Sequence, residues 1–473
     1  MDNRILVITY YFAPKNEIAS IRLTKIVKYL VKLGWDVTVL TFNDDPNNVL
    51  EKIQDKTLLS KELEQVRVIR IKQPRFLLIV YKIVKSVYQK ISRIFSKENN
   101  NLASRSEEEK KLNKMSAFSK LKLGIGFLFD LCKNYLMFRK AVPYIKEILK
   151  NNQPNIIFSS YGPMVALNLG IYSKRKSPSS LLVLDFRDLI IRLGDFDIDV
   201  IRKYKSKIEM QALEIADLIS VVSEGQKKDL LERNSKLVVE GKVHVITNGF
   251  DRSDLKYVNE DFIKTRESNV LHLCYTGRLY PGKSKLNMLV DVLNEIMYES
   301  PNTIKKIRVH YAGPSFNYFI SQVRSDVLKE IIVNHGVITR NQALSLQRRS
   351  DILLMLSWNE ENERGILTGK LYEYMMSGKP IIALISGNCK GSELKKIIET
   401  CNIGIALEEA SEYEYEKARL KEYIYSSVNQ IQENGKLRYE PKQNIIEQYD
   451  YKYITKKLDD LFKSNKFLNF KDN

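Results

Sequence analysis

Short apolar runs alternate with helix-length amphipathic stretches along most of this 473-residue chain. Such alternation restricts the chain to parallel sheets covered by helices, because two strands can pair in parallel only after a crossover. The pattern therefore predicts an α/β fold with two doubly wound, Rossmann-like parallel sheets. The apolar runs cover residues 4–9, 36–42, 66–71, 155–159, 181–186, 217–222, 243–247, 270–276, 306–312, 332–337, 352–357, 380–385 and 403–407.

A polar stretch at residues 248–269 separates the first seven runs from the last six and is interpreted as a linker. The chain also exceeds the usual size of a single hydrophobic core. We predict a first domain at 1–248 and a second domain at 270–444. The segment 445–473, helical at about 445–465, is predicted to pack back on the first domain. Two such domains facing each other form a cleft lined by carboxyl ends of strands, where ligands of these sheets bind.

The formal net charge of +19 indicates an acidic partner, such as nucleic acid, anionic lipid or a phosphorylated substrate. Because no nucleic-acid-binding motif accompanies the charge, nucleic acid is not the expected partner. The four cysteines are scattered without a C-x-x-C pair, which argues against a zinc site and for a reducing compartment. Without a signal peptide or a spanning apolar run, the expected location is cytoplasmic and peripheral, at the inner face of the cell membrane.

The strand rhythm breaks between about residues 73 and 150. Residues 75–97 combine apolar side chains at helical spacing with six basic residues and no acid, and residues 120–140 form a second apolar, mostly basic stretch. We predict a helical insertion in the first domain whose segment 75–140 docks on an anionic membrane surface. The alternative is a pair of core helices whose basic faces are only solvated.

The segment 365–384 contains a predicted helix start at Thr368 and Gly369. Unsatisfied backbone N–H groups at such a start attract phosphate. Lys370 and Glu373 are spaced i, i+3, so they share a helix face near that start. The cation is suited to a diphosphate and the carboxylate to a sugar diol, which together make up a nucleotide-sugar. The alternative is an ordinary surface Lys–Glu pair.

A second basic segment, residues 276–285, follows the first strand of the second domain. Gly277 allows close approach of the backbone, while Arg278 and Lys283 place cations at the carboxyl end of the strand, where a diphosphate binds. Turns often contain Gly, Pro and Lys, so this segment alone is weak evidence for a diphosphate site. Together with the helix start at Thr368 the evidence is stronger.

Charged residues also leave an apolar strand of the first domain at Asp185, Arg187 and Asp188. Charges at the end of a buried strand are costly unless they are paired or functional. They form either an ion pair that fixes a loop or a group poised over the reacting sugar or the acceptor hydroxyl. Nearby candidates come from an early position in the first helix and from the 159–164 loop. The acceptor-side candidates are Arg22, Tyr161, Gly162 and Asp185.

Several catalytic signatures are missing from the sequence. No G-x-G-x-x-G follows the first strand, which disfavours a dinucleotide dehydrogenase, and no Walker A loop is present, which disfavours NTP hydrolysis. No serine or cysteine nucleophile motif stands out. The four histidines lie in or at the end of predicted strands and are interpreted as structural: His244, His272, His310 and His335.

Together these segments resemble the B-type (GT-B) glycosyltransferases, specifically the large bacterial family-four group that elongates surface polysaccharides. The resemblance covers nearly the whole chain, and its most specific part is LTGKLYEYMMSGKPIIAL at 367–384. It implies a nucleotide-sugar donor, with a UDP-sugar favoured, bound mostly by the second domain. It also implies retention at the anomeric carbon and neither a metal nor another cofactor. Further matching segments are 8–41, 185–188, 219–225, 245–251 and 275–285.

The resemblance also implies roles for individual residues. Glu373 matches the glutamate that binds the donor ribose, and Lys370 with the Thr368–Gly369 helix start matches the diphosphate-side segment. Arg278 and Lys283 match the basic pair that neutralises the departing diphosphate. The predicted catalytic residues are Arg187, Asp188, Arg278 and Lys283. The predicted donor-binding residues are Gly277, Arg278, Lys283, Thr368, Gly369, Lys370 and Glu373.

The chain departs from the pattern of this family at three places. Many relatives carry two glutamates separated by seven residues, but here the first position is Gly365. A His-Asp pair of many relatives is replaced by Arg187–Asp188, and the Gly-Gly of the first loop by Asn16–Glu17. The diphosphate and ribose positions are kept, so these changes are interpreted as a subgroup signature.

The resemblance therefore implies a glycosyltransferase for cell-surface polysaccharide synthesis. Its partners would be a nucleotide-sugar and a polyprenyl-diphosphate-linked saccharide acceptor at the membrane. One alternative is a nucleotide-sugar epimerase or a phosphorylase on the same fold, which would turn over without a membrane acceptor. The other is a non-catalytic basic module that serves as a binding or scaffold protein.

Overall fold

The computed structural model describes residues 3–15, 18–43, 54–73, 86, 117–191, 198–236, 240–257 and 267–468. The chain divides into two compact units. The first unit comprises Met1–Val221, Leu230–His244 and Asp459–Asn473, and the second comprises Val222–Asp229 and Val245–Leu458. Each unit is built around one sheet.

The sheet of the first unit has seven strands in the order β3-β2-β1-β4-β5-β6-β7. Neighbouring strands from β3 to β6 pair in parallel, in the doubly wound order that is typical of Rossmann-like domains. The strands are β1 (Arg4–Ile8), β2 (Asp36–Phe42), β3 (Arg67–Ile71), β4 (Ile156–Ser160), β5 (Leu181–Phe186), β6 (Leu218–Val221) and β7 (Val243–Val245).

The sheet of the second unit has six parallel strands in the order β10-β9-β8-β11-β12-β13. Its strand order reverses between β8 and β11, which makes the carboxyl ends of these two strands the topological switch point. The strands are β8 (Leu271–Thr276), β9 (Ile307–Ala312), β10 (Ile332–Asn334), β11 (Ile352–Trp358), β12 (Ile381–Ser386) and β13 (Gly404–Glu408).

Strands buried on both faces explain why the sequence shows continuous apolar runs. Along β11, Leu353 and Met355 belong to one hydrophobic cluster, whereas Leu354 and Leu356 belong to another. The side chains of a strand point alternately to its two faces, so helices cover both sides of this sheet. The predicted α/β fold with two parallel sheets is confirmed, and each predicted run coincides with a strand.

Helices occupy most of the segments between the strands. In chain order they are α1 (Ile18–Lys32), α2 (Ala117–Asn151), α3 (Met164–Lys176), α4 (Asp199–Ile215), α5 (Glu224–Arg233), α6 (Asn287–Glu299), α7 (Pro301–Ile304), α8 (Phe316–Ser321), α9 (Asp326–Glu330), α10 (Arg340–Arg349), α11 (Gly369–Ser377), α12 (Glu393–Cys401), α13 (Tyr413–Asn434), α14 (Gln443–Ile446) and α15 (Tyr451–Leu468).

The region between β3 and β4 contains α2, which includes the predicted second helical stretch at 120–140. The first basic stretch, at 75–97, lies outside the described residues apart from Ser86. None of the helices in the described part of the chain is long and apolar enough to cross a membrane.

The predicted single helix at 445–465 is interrupted in the structure. Asp450 is extended, and α15 begins only at Tyr451. The N–H of Phe250 donates to the carbonyl oxygen of Tyr449 at 3.0 Å. The carbonyl oxygen of Phe250 in turn accepts a hydrogen bond from the N–H of Tyr451 at 2.8 Å. Because this segment bonds to a residue of the predicted linker, its backbone groups are not available for a continuous helix.

The last turns of α15 belong to the first unit. The indole N–H of Trp35 donates to Asp459 Oδ1 at 2.9 Å. Phe462 is fully buried, with its ring centre 5.8 Å from that of Trp35 and 6.1 Å from that of Phe158. Residues of α15 therefore complete the core to which Trp35 and Phe158 belong.

Candidate functional site

The carboxyl ends of β8 and β11 lead into the two loops that the sequence singled out. The loop after β8 starts at Gly277, and the loop after β11 runs from Asn359 to the start of α11. Because β8 and β11 are adjacent and parallel, the two loops leave the sheet at the same edge. The fold of the second unit thus brings together segments that are about 90 residues apart in the chain.

Gly277 and Lys370 are in direct contact at this edge. Gly277 has a φ of +114°, and a Cβ added to it would lie 2.7 Å from Lys370 Cε. A residue with a side chain at position 277 would therefore displace the lysine as well as strain the backbone. The ammonium of Lys370 lies 5.3 Å from the ring centre of Tyr275, which holds it beside the end of β8.

Lys370 is a cation with little solvent around it. Burial lowers the pKa of its ammonium below the usual value, while Glu373 on the same helix acts in the opposite direction. An anion placed next to Lys370 would restore the charged form that burial disfavours. The lysine is thus suited to a phosphate group.

Helix α11 begins at Gly369, the position that the sequence predicted, with an extended Thr368 before it. The Thr368 side chain does not cap the helix, and its Oγ1 is buried without a hydrogen-bond partner among the described residues. The start of α11 therefore presents backbone N–H groups and a hydroxyl that could donate to an anion.

Glu373 lies one turn further along α11 and keeps 30% of its side chain exposed. Its Oε1 is 3.6 Å from Arg340 Nε, and the same guanidinium pairs with Asp254 Oδ2 at 2.9 Å. Arg340 orients the carboxylate while leaving part of it open to a ligand. The sequence analysis missed Arg340, since its position at the start of α10 carries no local signal.

The two predicted cations of the 276–285 loop differ in their surroundings. The Arg278 side chain is exposed and has no hydrogen bond or ion pair with the part of the chain that the structure describes. Lys283 is ion-paired with Glu363, and its Nζ lies 4.9 Å from the ring centre of Trp358. Glu363 and Trp358 did not figure in the sequence analysis.

Gly365 occupies the position where relatives carry the first of two glutamates. Its φ is +68°, and a Cβ there would lie 2.6 Å from Ser223 Oγ and 2.8 Å from Gly225 Cα. A glutamate at this position would need both the strained backbone and a shift of the Gly225 backbone. The structure thus gives a steric reason for the departure at Gly365.

In the first unit, Asp185 lies in a buried network at the end of β5. Its carboxylate pairs with Arg22 at 2.8 Å and accepts hydrogen bonds from Ser160 Oγ and Ser220 Oγ, each at 2.8 Å. Burial acts to raise the pKa of Asp185, but the charge of Arg22 and these hydrogen bonds hold it below its usual value. With both side chains 0% exposed, Arg22 and Asp185 form an internal ion pair.

Arg187 holds the loop that follows β4. One guanidinium nitrogen donates to the carbonyl oxygens of Tyr161 and Gly162 at 3.0 and 3.1 Å. Burial lowers the pKa of Arg187, and Asp188 and Asp185 counteract this effect. Asp188, in contrast to Asp185, is exposed to solvent.

Tyrosines and cations gather beyond the end of β1. Lys15 Nζ lies 4.8 Å from the ring centre of Tyr10 and 5.7 Å from that of Tyr11. Lys133 Nζ of α2 lies 5.6 Å from the Tyr10 ring, and Arg187 Cζ lies 5.9 Å from the Tyr11 ring. Cations from three segments thus meet around two aromatic rings. The sequence analysis did not identify this cluster.

Three of the histidines form a hydrogen-bonded chain across neighbouring strands. His272 Nδ1 lies 2.8 Å from His310 Nε2, and His310 Nδ1 lies 2.9 Å from His335 Nε2. His272 Nε2 lies 3.2 Å from the carbonyl oxygen of Glu267, so it must donate its hydrogen there. Three neutral rings, each protonated at Nε2, satisfy the whole chain, which fits a structural role. Among the described residues, no group of three or more His, Cys, Asp or Glu side chains could hold a metal ion.

Comparisons with known proteins find similarity only at the level of structure. No family model matches the chain, and no curated relative matches it. One similar solved structure is WaaG, a glycosyltransferase involved in lipopolysaccharide biosynthesis (10% identity, TM-score 0.52, covering 97% of this chain and 99% of WaaG). Another is a trehalose-6-phosphate protein from E. coli bound with UDP-2-fluoro glucose (12%, TM-score 0.58, 97% and 99%). A third, from Listeria monocytogenes, is assigned as a UDP-N-acetylglucosamine 2-epimerase (11%, TM-score 0.50, 98% and 96%).

At these identities the comparison shows the fold. The chain has the GT-B fold of two Rossmann-like domains, and the similarity extends over nearly its whole length. The expectation of a GT-B fold is thereby confirmed. Because the same fold occurs in a protein assigned as an epimerase, the chemistry has to be argued from the residues of the site.

Proposed function

We propose that the protein is a glycosyltransferase that moves a sugar from a nucleotide-sugar to a saccharide acceptor. One observation carries the proposal. At the switch point of the second unit, Gly277, Lys370 and the start of α11 meet, with Glu373 one turn away. A helix start suited to phosphate beside a partly exposed carboxylate matches the two polar parts of a nucleoside diphosphate. A UDP-sugar is the proposed donor.

Within this proposal the diphosphate lies against the start of α11, between Lys370 and the exposed Arg278. Thr368 Oγ1 has no partner among the described residues, and it would donate to a phosphate oxygen. Glu373, oriented by Arg340, would accept hydrogen bonds from the ribose hydroxyls. Gly277 leaves the space in which Lys370 approaches the diphosphate.

The same cations would also promote the reaction. When the bond between the anomeric carbon and the phosphate oxygen breaks, negative charge accumulates on the departing diphosphate. Cations next to the departing oxygen stabilise this charge more strongly as the bond breaks than before. We propose that Lys370, Arg278 and Lys283 do so without a metal ion and that configuration at the anomeric carbon is retained.

The first unit is proposed to bind a polyprenyl-diphosphate-linked saccharide, as expected for surface polysaccharide synthesis. Asp188 is the exposed carboxylate at the end of β5, next to the 161–162 loop that Arg187 holds. The cluster of Lys133 and Arg187 around Tyr10 and Tyr11 supplies positive charge for an anionic acceptor. Buried Arg22 and Asp185 would support these loops from below.

A lipid-linked acceptor requires access to a membrane surface, and we propose that α2 provides it at the inner face of the cell membrane. Near its start this helix exposes Leu121 (49%), Leu123 (39%) and Leu128 (65%). Exposed leucines on a chain with a net charge of +19 are suited to an anionic lipid surface. The neighbouring basic stretch 75–97 would add to this contact.

The double variant Leu121→Asn/Leu128→Asn is expected to bind anionic vesicles markedly less than the wild type, because it removes apolar side chains from the lipid contact. Sedimentation with phosphatidylglycerol vesicles measures this binding. Val337→Asn is the control, since Val337 is 73% exposed in the second unit. Equal sedimentation of the wild type and the double variant would contradict a membrane role for α2.

The proposed donor site is tested by thermal stabilisation of the purified protein with UDP, GDP, CMP and ADP. We expect one nucleoside diphosphate to raise the melting temperature, and Glu373→Gln to reduce this rise because an amide is a weaker acceptor for ribose hydroxyls than a carboxylate. The expected loss of affinity is about 1–2 kcal/mol. Glu399→Gln is the control, because it removes the same charge from an exposed position in α12.

No stabilisation by any of these nucleotides would contradict the proposal and favour a non-catalytic binding module. The similarity to a protein assigned as an epimerase supports a second candidate, nucleotide-sugar epimerisation. An epimerase would convert UDP-sugars in the absence of an acceptor. A glycosyltransferase would release UDP in proportion to the saccharide acceptor supplied.

A further inference from the structure

Glu363 lies in the loop between β11 and α11, where a turn fixes its backbone. Its N–H donates to the carbonyl oxygen of Glu360 at 3.0 Å. Its carboxylate accepts hydrogen bonds from Lys283 Nζ and from the indole N–H of Trp358, the latter at 2.7 Å. The side chains of Glu363 and Lys283 are 15% and 32% exposed. Glu363 is thus a half-buried counter-ion of a cation proposed to bind the donor.

Trp358 contacts both members of this pair. Its ring faces the ammonium of Lys283 while its N–H holds the carboxylate of Glu363. Tyr280 packs edge-on against the indole, with ring centres 5.6 Å apart. The ion pair therefore has a framework of aromatic side chains from the end of β11 and the loop after β8, which restricts where the carboxylate and the ammonium can go.

A diphosphate that approaches Lys283 meets this carboxylate. Two anions next to one half-buried ammonium repel each other, and the repulsion grows as bound ligand excludes water. The ammonium can satisfy the diphosphate fully only if the carboxylate moves away. A diphosphate carries more negative charge than a carboxylate, so it can displace the Glu363 carboxylate from the Lys283 ammonium. An uncharged nucleoside cannot.

We propose that Glu363 is an internal competitor for the donor diphosphate, which displaces it from Lys283. The inference rests on the proposed function, because it assumes that Lys283 binds the diphosphate. Glu363 then lowers the affinity for diphosphate ligands and acts on the donor through Lys283. It is a positioning residue that sets how much negative charge a ligand needs to engage the site.

Removal of this competitor should tighten diphosphate binding. We expect Glu363→Gln to bind UDP about tenfold more tightly than the wild type, measured by calorimetric titration. The amide oxygen of glutamine can still accept the Trp358 N–H, so the loop keeps its hydrogen bond. Affinity for uridine, which has no phosphate, should not change. A merely structural role of Glu363 would give no gain that is confined to the diphosphate.

Glu361→Gln is the matched control. Glu361 is exposed and lies in the same loop, and its substitution removes the same charge as Glu363→Gln does. Its affinity for UDP should equal that of the wild type. In a Lys283→Ala background, Glu363→Gln should give no gain, because the cation for which the two anions compete is gone. Thermal melts verify that each variant is folded.

The results separate the two levels of the argument. If the wild type binds UDP and the folded Glu363→Gln variant binds it equally or more weakly, competition by Glu363 is wrong and the donor site stands. If Glu361→Gln gives the same gain in affinity for UDP, the gain comes from the lower net negative charge of the loop, and specific competition by Glu363 for Lys283 is wrong. If neither the wild type nor any variant binds a nucleoside diphosphate, the proposed function fails, and this inference fails with it.

Discussion

The double variant Arg278→Ala/Lys370→Ala is expected to bind UDP at least about 100-fold more weakly than the wild type. Each hydrogen bond between a cation and a phosphate contributes about 1.5–3 kcal/mol, and a loss of about 3 kcal/mol corresponds to this factor. Lys370 is the larger contributor, since it lies in contact with Gly277 and is poorly solvated. Calorimetric titration with UDP measures the change.

Lys305→Ala/Arg324→Ala controls for the loss of two positive charges. Both side chains are exposed in the second unit, and neither residue belongs to the two loops that form the site. This control should bind UDP as the wild type does. A double variant at positions 278 and 370 that stays folded and binds UDP with wild-type affinity would show that the diphosphate does not bind at the start of α11.

Arg22→Ala is expected to lower the free energy of unfolding of the first unit by about 3–5 kcal/mol. The substitution would leave the Asp185 carboxylate 0% exposed and without its guanidinium partner. The hydrogen bonds from Ser160 and Ser220 would remain, but they do not supply a positive charge. Urea unfolding followed by tryptophan fluorescence in a Trp358→Phe background reports on this unit, because Trp35 lies in its core and Trp358 lies in the second unit.

The double variant Arg22→Met/Asp185→Leu tests whether the buried charge is the cause. Replacing both partners with apolar side chains removes the unpaired charge, so this variant should be clearly more stable than Arg22→Ala. If the two variants lose the same stability, lost packing volume at position 22 explains the effect, and the argument from charge is wrong.

The strands were predictable because both faces of each sheet are covered. A strand buried on both faces is apolar over most of its length, as β5 is from Leu181 to Leu184 and β12 from Ile381 to Ile385, so its sequence differs clearly from the amphipathic helices around it. The start of α11 was predictable for a similar local reason, since a Thr-Gly pair before an amphipathic stretch is typical of a helix start. These features depend on neighbours in the sequence.

Side-chain partners could not be predicted in this way. Lys283 finds Glu363 80 residues away, and Arg22 finds Asp185 163 residues away. The sequence placed Arg22 on the right helix and at the right end of the sheet, but only the tertiary contact shows that it points inward. The break before α15 has the same origin, because it depends on hydrogen bonds with Phe250.

The chain order of the first unit has a consequence for its synthesis. The Phe462 ring packs against those of Trp35 and Phe158, and it leaves the ribosome only after the whole segment between Phe158 and Phe462 has been made. The hydrophobic core of the first unit therefore stays incomplete while the second unit is translated. A nascent chain of this kind leaves Trp35 and Phe158 without their aromatic neighbour until Phe462 has been translated.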